Sequence, residues 1–153
     1  MATQETYKEV VNPALSWMSF IYFMFFSIAV AIWGAFDTPH AAVTLAVLTG
    51  FMPYLWLKMR MVISVDEELR VDRAHIELKF LGDAVALNEA EYKLHRTINS
   101  NARAFHATRP WVKTGVKFFV NDERDKTSYW LIGSNNYEAL TAELIKRSRG
   151  RQR

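Results

Sequence analysis

The chain has 153 residues, half of them hydrophobic and 23% charged, with a formal net charge of +3, so it holds one small core and little more. It contains no cysteine, which excludes a disulfide framework and fits a cytoplasmic domain. The near-neutral average hydropathy is misleading, because an apolar first half is masked by a polar second half.

Residues 1–12 form a short N-terminal segment carrying Lys8. From Pro13 to Phe36 there is no charged side chain, nor is there one from Ala41 to Leu57, and only Asp37-Thr38-Pro39-His40 separates the two runs. At ~1.5 Å per residue the runs give helices of roughly 36 and 26 Å against a hydrocarbon core of ~30 Å. The expected structure over 13–57 is therefore a transmembrane helical hairpin. A cleaved signal peptide is the weaker reading: the first run is too long, a second follows at once, and Trp33-Gly34-Ala35-Phe36 is a poor cleavage site. Trp17, Trp33, Tyr54 and Trp56 sit near the span ends, where amphipathic rings prefer the headgroup level. Lys8, Lys58 and Arg60 flank the spans while the connecting loop has no Lys or Arg. This places both termini in the cytoplasm of a multi-pass plasma-membrane protein.

Small residues recur every fourth position, as Ser27, Ala31 and Ala35 in the first span and Ala42, Ala46 and Gly50 in the second. Such stripes let helix backbones approach closely. They are expected either to pack against each other within the hairpin or to offer a homodimer or docking face. Pro53 is expected to kink the second helix near its end. No ionisable residue lies mid-span, so nothing suggests an ion path.

From Lys58 the pattern changes to mixed charge with alternation of period two. Val62 to Val71 reads as two strands around a charged turn at Asp66-Glu67-Glu68, and His75 to Phe80 as a half-buried strand broken by Leu81-Gly82-Asp83. Asn88 and Glu91 have capping-box spacing, predicting a helix over Glu89 to Arg96. Asn99 to Arg103 reads as a loop. Trp111 to Val120 and Thr127 to Ile132 read as a hairpin around Asn121 to Lys126. Asn135 and Glu138 suggest a second capping box, opening a helix with Tyr137, Leu140, Leu144 and Ile145 on one face. The predicted fold class of 58–146 is α+β: a small antiparallel β-barrel or sandwich closed by a C-terminal capping helix. Residues 147–153 form a basic, loosely ordered tail.

Arg109-Pro110-Trp111-Val112 and Tyr129-Trp130-Leu131, with Leu69-Arg70-Val71, Glu138-Ala139-Leu140 and the two apolar runs, resemble an actinobacterial family of small membrane proteins. That family is catalogued as domain of unknown function, number three-zero-nine-three. The resemblance implies a two-helix anchor and a pleckstrin-homology-like cytoplasmic domain. The chain departs from the family's usual Ser-Thr-Arg before the last helix, having Gly133-Ser134-Asn135 there, and has Tyr137 where a Pro is usual.

Arg109, Trp111, Tyr129 and Trp130 are the candidate ligand or partner surface, an aromatic-plus-cation grip for a peptide or headgroup; the alternative puts Trp111 and one of Tyr129 and Trp130 in the core. Lys58, Arg60, Lys146, Arg147, Arg149, Arg151 and Arg153 are the expected anionic-lipid contacts, each contributing about 1 kcal/mol near a charged surface. His75, His95 and His106 lack metal-site spacing, and no catalytic residues, metal or cofactor are expected. The expected partners are membrane lipids and a protein or a second copy of the chain, not nucleic acid. The leading expectation is a non-enzymatic membrane-anchored scaffold or regulatory binding module. The alternatives are an accessory subunit of a transporter or envelope complex and a cryptic enzyme subunit with a membrane-associated or nucleotide substrate.

Overall fold

The structure is a computed structural model that describes residues 7–97, 103–122 and 126–151. The chain forms two compact units, Asn12–Arg60 and the remainder. The first is a helical hairpin of α1 (Leu15–Ala35) and α2 (Thr38–Met59), both long and apolar enough to cross a membrane. Asp37 caps α2, accepting from the His40 backbone N–H at 3.4 Å and pairing with the His40 imidazole, and Pro39 sits in the first turn where its missing N–H costs nothing. The expected four-residue loop thus shrinks to Phe36 and Asp37.

The less exposed positions include Met18, Ile21, Phe25, Ala29 and Ile32 on α1, and Ala41, Thr44, Leu45, Leu48, Met52 and Leu55 on α2. Their three-and-four spacing is the seam of a packed helix pair. The small-residue stripes do not form that seam. Ala42, Ala46 and Gly50 are all exposed, as are Ala31 and Ala35; of the stripes, Ser27 alone is half-buried like Ile21, Phe25 and Ile32. A Cβ placed on Gly50 would meet nothing within 4 Å. Larger side chains flank Ala29, one of the two buried residues of α1, and bring more matched contact area than a row of alanines would.

The second unit holds two four-stranded sheets. Sheet A is an antiparallel array in chain order: β1 (Tyr7–Val11), β2 (Met61–Val65), β3 (Glu68–Val71) and β4 (Ala74–Glu77). β1 lies in the short N-terminal segment 1–12, where no strand is expected from the sequence. It pairs with β2 from Tyr7↔Val65 to Val11↔Met61, so the hairpin is inserted between two adjacent strands of one sheet. Sheet B comprises β5 (Leu81–Leu87), β6 (Ala104–Ala107), β7 (Gly115–Val120) and β8 (Tyr129–Gly133), in the order β5-β7-β8-β6. β6 runs parallel to β8, a departure from the expected all-antiparallel arrangement. Two helices complete the unit, α3 (Glu89–Thr97) and α4 (Tyr137–Arg151).

Several expected boundaries move for identifiable reasons. The strand expected over His75 to Phe80 ends at Glu77 and continues as a 3₁₀ turn over Leu78–Phe80. Leu81-Gly82-Asp83 does not break the sheet; it begins β5 and carries a β-bulge, the register passing from Leu81↔Val120 to Ala84↔Phe118. β7 starts at Gly115 and not Trp111, because Arg109 to Val112 closes a turn (Val112 N–H to Arg109 C=O, 3.1 Å) with Pro110 supplying its fixed φ. Residues 99–102 and 123–125 of the two expected loops lie outside the described residues.

The main core joins both sheets to α4 through Ile63, Leu69, Phe118, Trp130, Ile132, Leu140 and Leu144. A second layer of Leu87, Tyr92, Tyr129 and Leu131 lies between sheet B and α3. Tyr129 and Trp130 do point to opposite faces, yet both are buried, because sheet B is covered on both sides.

Candidate functional site

The four residues expected to form one exposed grip are used otherwise. Trp130 is 6% exposed and packs on Phe105 and Phe118, with ring centroids 4.3 and 5.7 Å away. Tyr129 is 5% exposed and belongs to the layer beneath α3. Trp111 is half-buried against the main core. Arg109 reaches Asp72, which binds it at 2.7 Å through one carboxylate oxygen and accepts from the Val62 N–H at 2.9 Å through the other. Asp72 occupies the β3–β4 turn at φ 54°, a left-handed conformation that Asp tolerates better than most residues. The distinctive Arg-Pro-Trp-Val segment therefore ties the 109–112 turn to sheet A.

The basic residues divide likewise. Lys58 and Lys146 are exposed and Arg60 is half-buried. Arg147 is largely buried: it pairs with Glu143 and donates to the Asp66 carbonyl at 2.8 Å, which removes it from lipid contact. The supposed tail is the end of α4, which runs to Arg151. Arg153 lies outside the described residues.

The expected Asn135–Glu138 capping box is replaced by a carboxylate from the other end of the domain. Glu9 on β1 accepts from Ser134 Oγ at 2.6 Å and from the backbone N–H groups of Asn135 and Asn136 at 2.9 and 3.3 Å. Tyr7 Oη also donates to it, at 3.1 Å. Burial, and then the Glu9 charge and hydrogen bond, hold the Tyr7 phenol well above its ordinary range. By contrast, the Asn88–Glu91 box forms as expected, with reciprocal bonds of 3.0 and 3.1 Å.

One concavity in this unit is a groove of about 620 Å³ between the bulged start of β5, the end of β7 and α4. Leu81, Val120 and Ile145 give it an apolar floor; Phe119 borders it, its ring turned toward Tyr129 and Lys117. Asp83, Asn121, Ser128 and Ser148 supply one carboxylate and several neutral hydrogen-bonding groups. The bulge makes the shape: a Cβ on Gly82 would stand 3.1 Å from the Phe119 carbonyl and 3.2 Å from the Asn121 side chain. Sequence reasoning missed this groove, since Gly82-Asp83 looked like a chain break and its partners lie far away in the sequence.

On the far side of sheet B, the Tyr92 ring lies over Gly115 and Gly133, which face each other across β7 and β8. Cβ atoms there would come within 2.5 and 2.7 Å of that ring and its hydroxyl. Burial pushes the Tyr92 phenol up to about 12, with the Arg96 guanidinium pulling the other way. Lys117 places its ammonium 4.6 Å from the Tyr129 ring centroid and 5.0 Å from that of Phe119. Burial and then Lys117 lower the pKa of His95, against a smaller pull from Glu91.

The family model described as "Protein of unknown function (DUF3093)" matches residues 6–144, and the chain belongs to that family. No curated protein and no solved structure matches it.

Proposed function

We propose that this family member is a multi-pass membrane protein whose α+β unit is a pleckstrin-homology-like binding module held at the cytoplasmic face. Two four-stranded sheets packed with a C-terminal helix suit that fold. The β1–β2 pairing supports the topology, because a hairpin that leaves and re-enters one sheet must return to the side it left. Lys8, Lys58 and Arg60 lie near the two ends of that insertion, and positive charge at span ends favours the cytoplasmic side and anionic headgroups.

The observation that carries the binding role is the groove between α4 and β5. Its apolar floor, single carboxylate and scattered neutral polar groups suit recognition of a partner segment more than bond-making chemistry. A photo-crosslinking residue placed at Asn121, Ser128 or Ile145 in intact cells should capture one discrete partner, and one at His75 on β4 should not. Asp83→Lys combined with Ile145→Ala should abolish capture. Equal or absent adducts at all positions would overturn the reading.

A second reading rests on the outward-facing Ala42, Ala46 and Gly50. Left out of the hairpin seam, this row suits close packing against a helix of a transporter or envelope complex. Gly50→Ile with Ala46→Leu should then abolish co-purification of that complex, and unchanged recovery would sink the idea.

A further inference from the structure

We propose that α3 is a proton-operated flap, docked on the outer layer of sheet B while His95 is neutral and released when His95 takes a proton. Its nine residues are held down by few groups: the Tyr92 ring over Gly115 and Gly133, His95 one turn further on, and an exposed Glu89–Lys113 ion pair at 3.1 Å. His95 Nδ1 is buried and has no hydrogen-bond partner. A proton added to that nitrogen would become a buried N–H without an acceptor on a ring that has just gained charge.

The surroundings oppose that charge. β7 contributes Lys117, whose ammonium is fixed over Tyr129 and Phe119. The row Lys117–Leu131–His106 crosses three strands on this face, which sets a second imidazole on β6, edge-on to Tyr129 at 6.3 Å, its Nε2 also buried without a partner. β8 brings Tyr129 and Leu131 to this layer, and β5 brings Leu87 and, opposite Lys117, the exposed Val85. On α3 itself, Arg96 acts on Tyr92, and Glu91, the carboxylate acting on His95, also accepts from the Asn88 N–H in the capping box. Opening α3 would uncover Leu87, Tyr129 and Leu131, an apolar surface absent from the docked state.

The direction follows from linkage. His95 titrates lower when docked than its ordinary 6.5, so the docked state binds fewer protons. Docking is therefore at full strength above about 6.5 and is lost as pH falls through the docked value below it. Hydrogen exchange of the full chain in detergent, compared at neutral pH and at about pH 5, reads this out after correction for intrinsic rates. The amides of 92–97 should exchange at least about tenfold faster in acid while those of β7 and β8 keep their protection. His95→Gln with His106→Gln should remove the response. Lys117→Met, which lifts the docked pKa of His95 toward its ordinary value, should weaken the response without removing α3. An α3 equally protected at both pH values, or one that still loosens in acid when both histidines are replaced, would overturn the proposal.

Discussion

Glu9 accepts four hydrogen bonds from Tyr7, Ser134, Asn135 and Asn136, so one side chain on β1 closes the N-terminus of α4, the last helix of the domain. Glu9→Ala should cost about 1–2 kcal/mol in chemical denaturation of the full chain, the range of a lost cap, while Glu9→Gln should recover part of it. Gly115 and Gly133 are constrained by close approach, since any side chain at either meets the Tyr92 ring or hydroxyl. Gly133→Ala should destabilise by about 1–3 kcal/mol, and pairing it with Tyr92→Leu, which removes that hydroxyl, should restore much of the loss. The buried Tyr92 phenol sets an alkaline limit. Its pKa rises from 10.0 unfolded to about 12 folded, so its contribution is complete below pH 10 and is lost as pH climbs toward 12. A pH-resolved melting series should show that loss, and it should be absent in Tyr92→Phe.

Among the elements, those specified by neighbouring residues were legible in the sequence, and those specified by distant partners were not. α3 announces itself through Asn88 and Glu91, and the β7–β8 hairpin through two β-forming runs around a polar turn. β1 is five residues whose partner lies some fifty positions away, beyond an apolar hairpin, and no local pattern reports such a pairing. β5 was hidden because a bulge and a break both use Gly-Asp; only the β7 register distinguishes them. The groove inherits that invisibility, needing the bulge and α4 together. Side-chain roles were harder still: Arg109 and Trp130 have the chemistry of a binding surface, but an aspartate at φ 54° and the main core use them internally. In the hairpin, the seam prediction is direct. Leu48→Ala should destabilise α1–α2 packing by roughly 1–2 kcal/mol in detergent, while Gly50→Leu should be neutral or slightly stabilising by helix propensity. Thermal unfolding of the two variants separates a seam at Leu45, Leu48 and Met52 from one at Ala42, Ala46 and Gly50.

At the scale of the whole molecule, the pairing of Val11 with Met61 makes the hairpin an insertion in an otherwise continuous β1–β2 connection. Two consequences can be tested. Replacing residues 12–60 by Asn-Gly joins two strands already opposed across the sheet with a turn suited to that separation, and loop-closure entropy favours the shorter link. The remaining chain keeps the main core, the layer under α3 and the Glu9 cap, so it should be soluble without detergent and unfold cooperatively; an aggregated product would show that the hairpin stabilises the domain and does not merely anchor it. The second consequence concerns sidedness. Because both ends of the insertion belong to one sheet, Lys8 and Ser148 must lie on the same side of any membrane that α1 and α2 cross, and Asp37 on the other. The chain lacks cysteine, so single Lys8→Cys, Ser148→Cys and Asp37→Cys variants report sidedness without background. An impermeant thiol reagent added to intact cells should label only the Asp37→Cys variant. Labelling of the other two in its place would invert the proposed topology, and labelling of all three at once would mean that the hairpin lies on the membrane without crossing it.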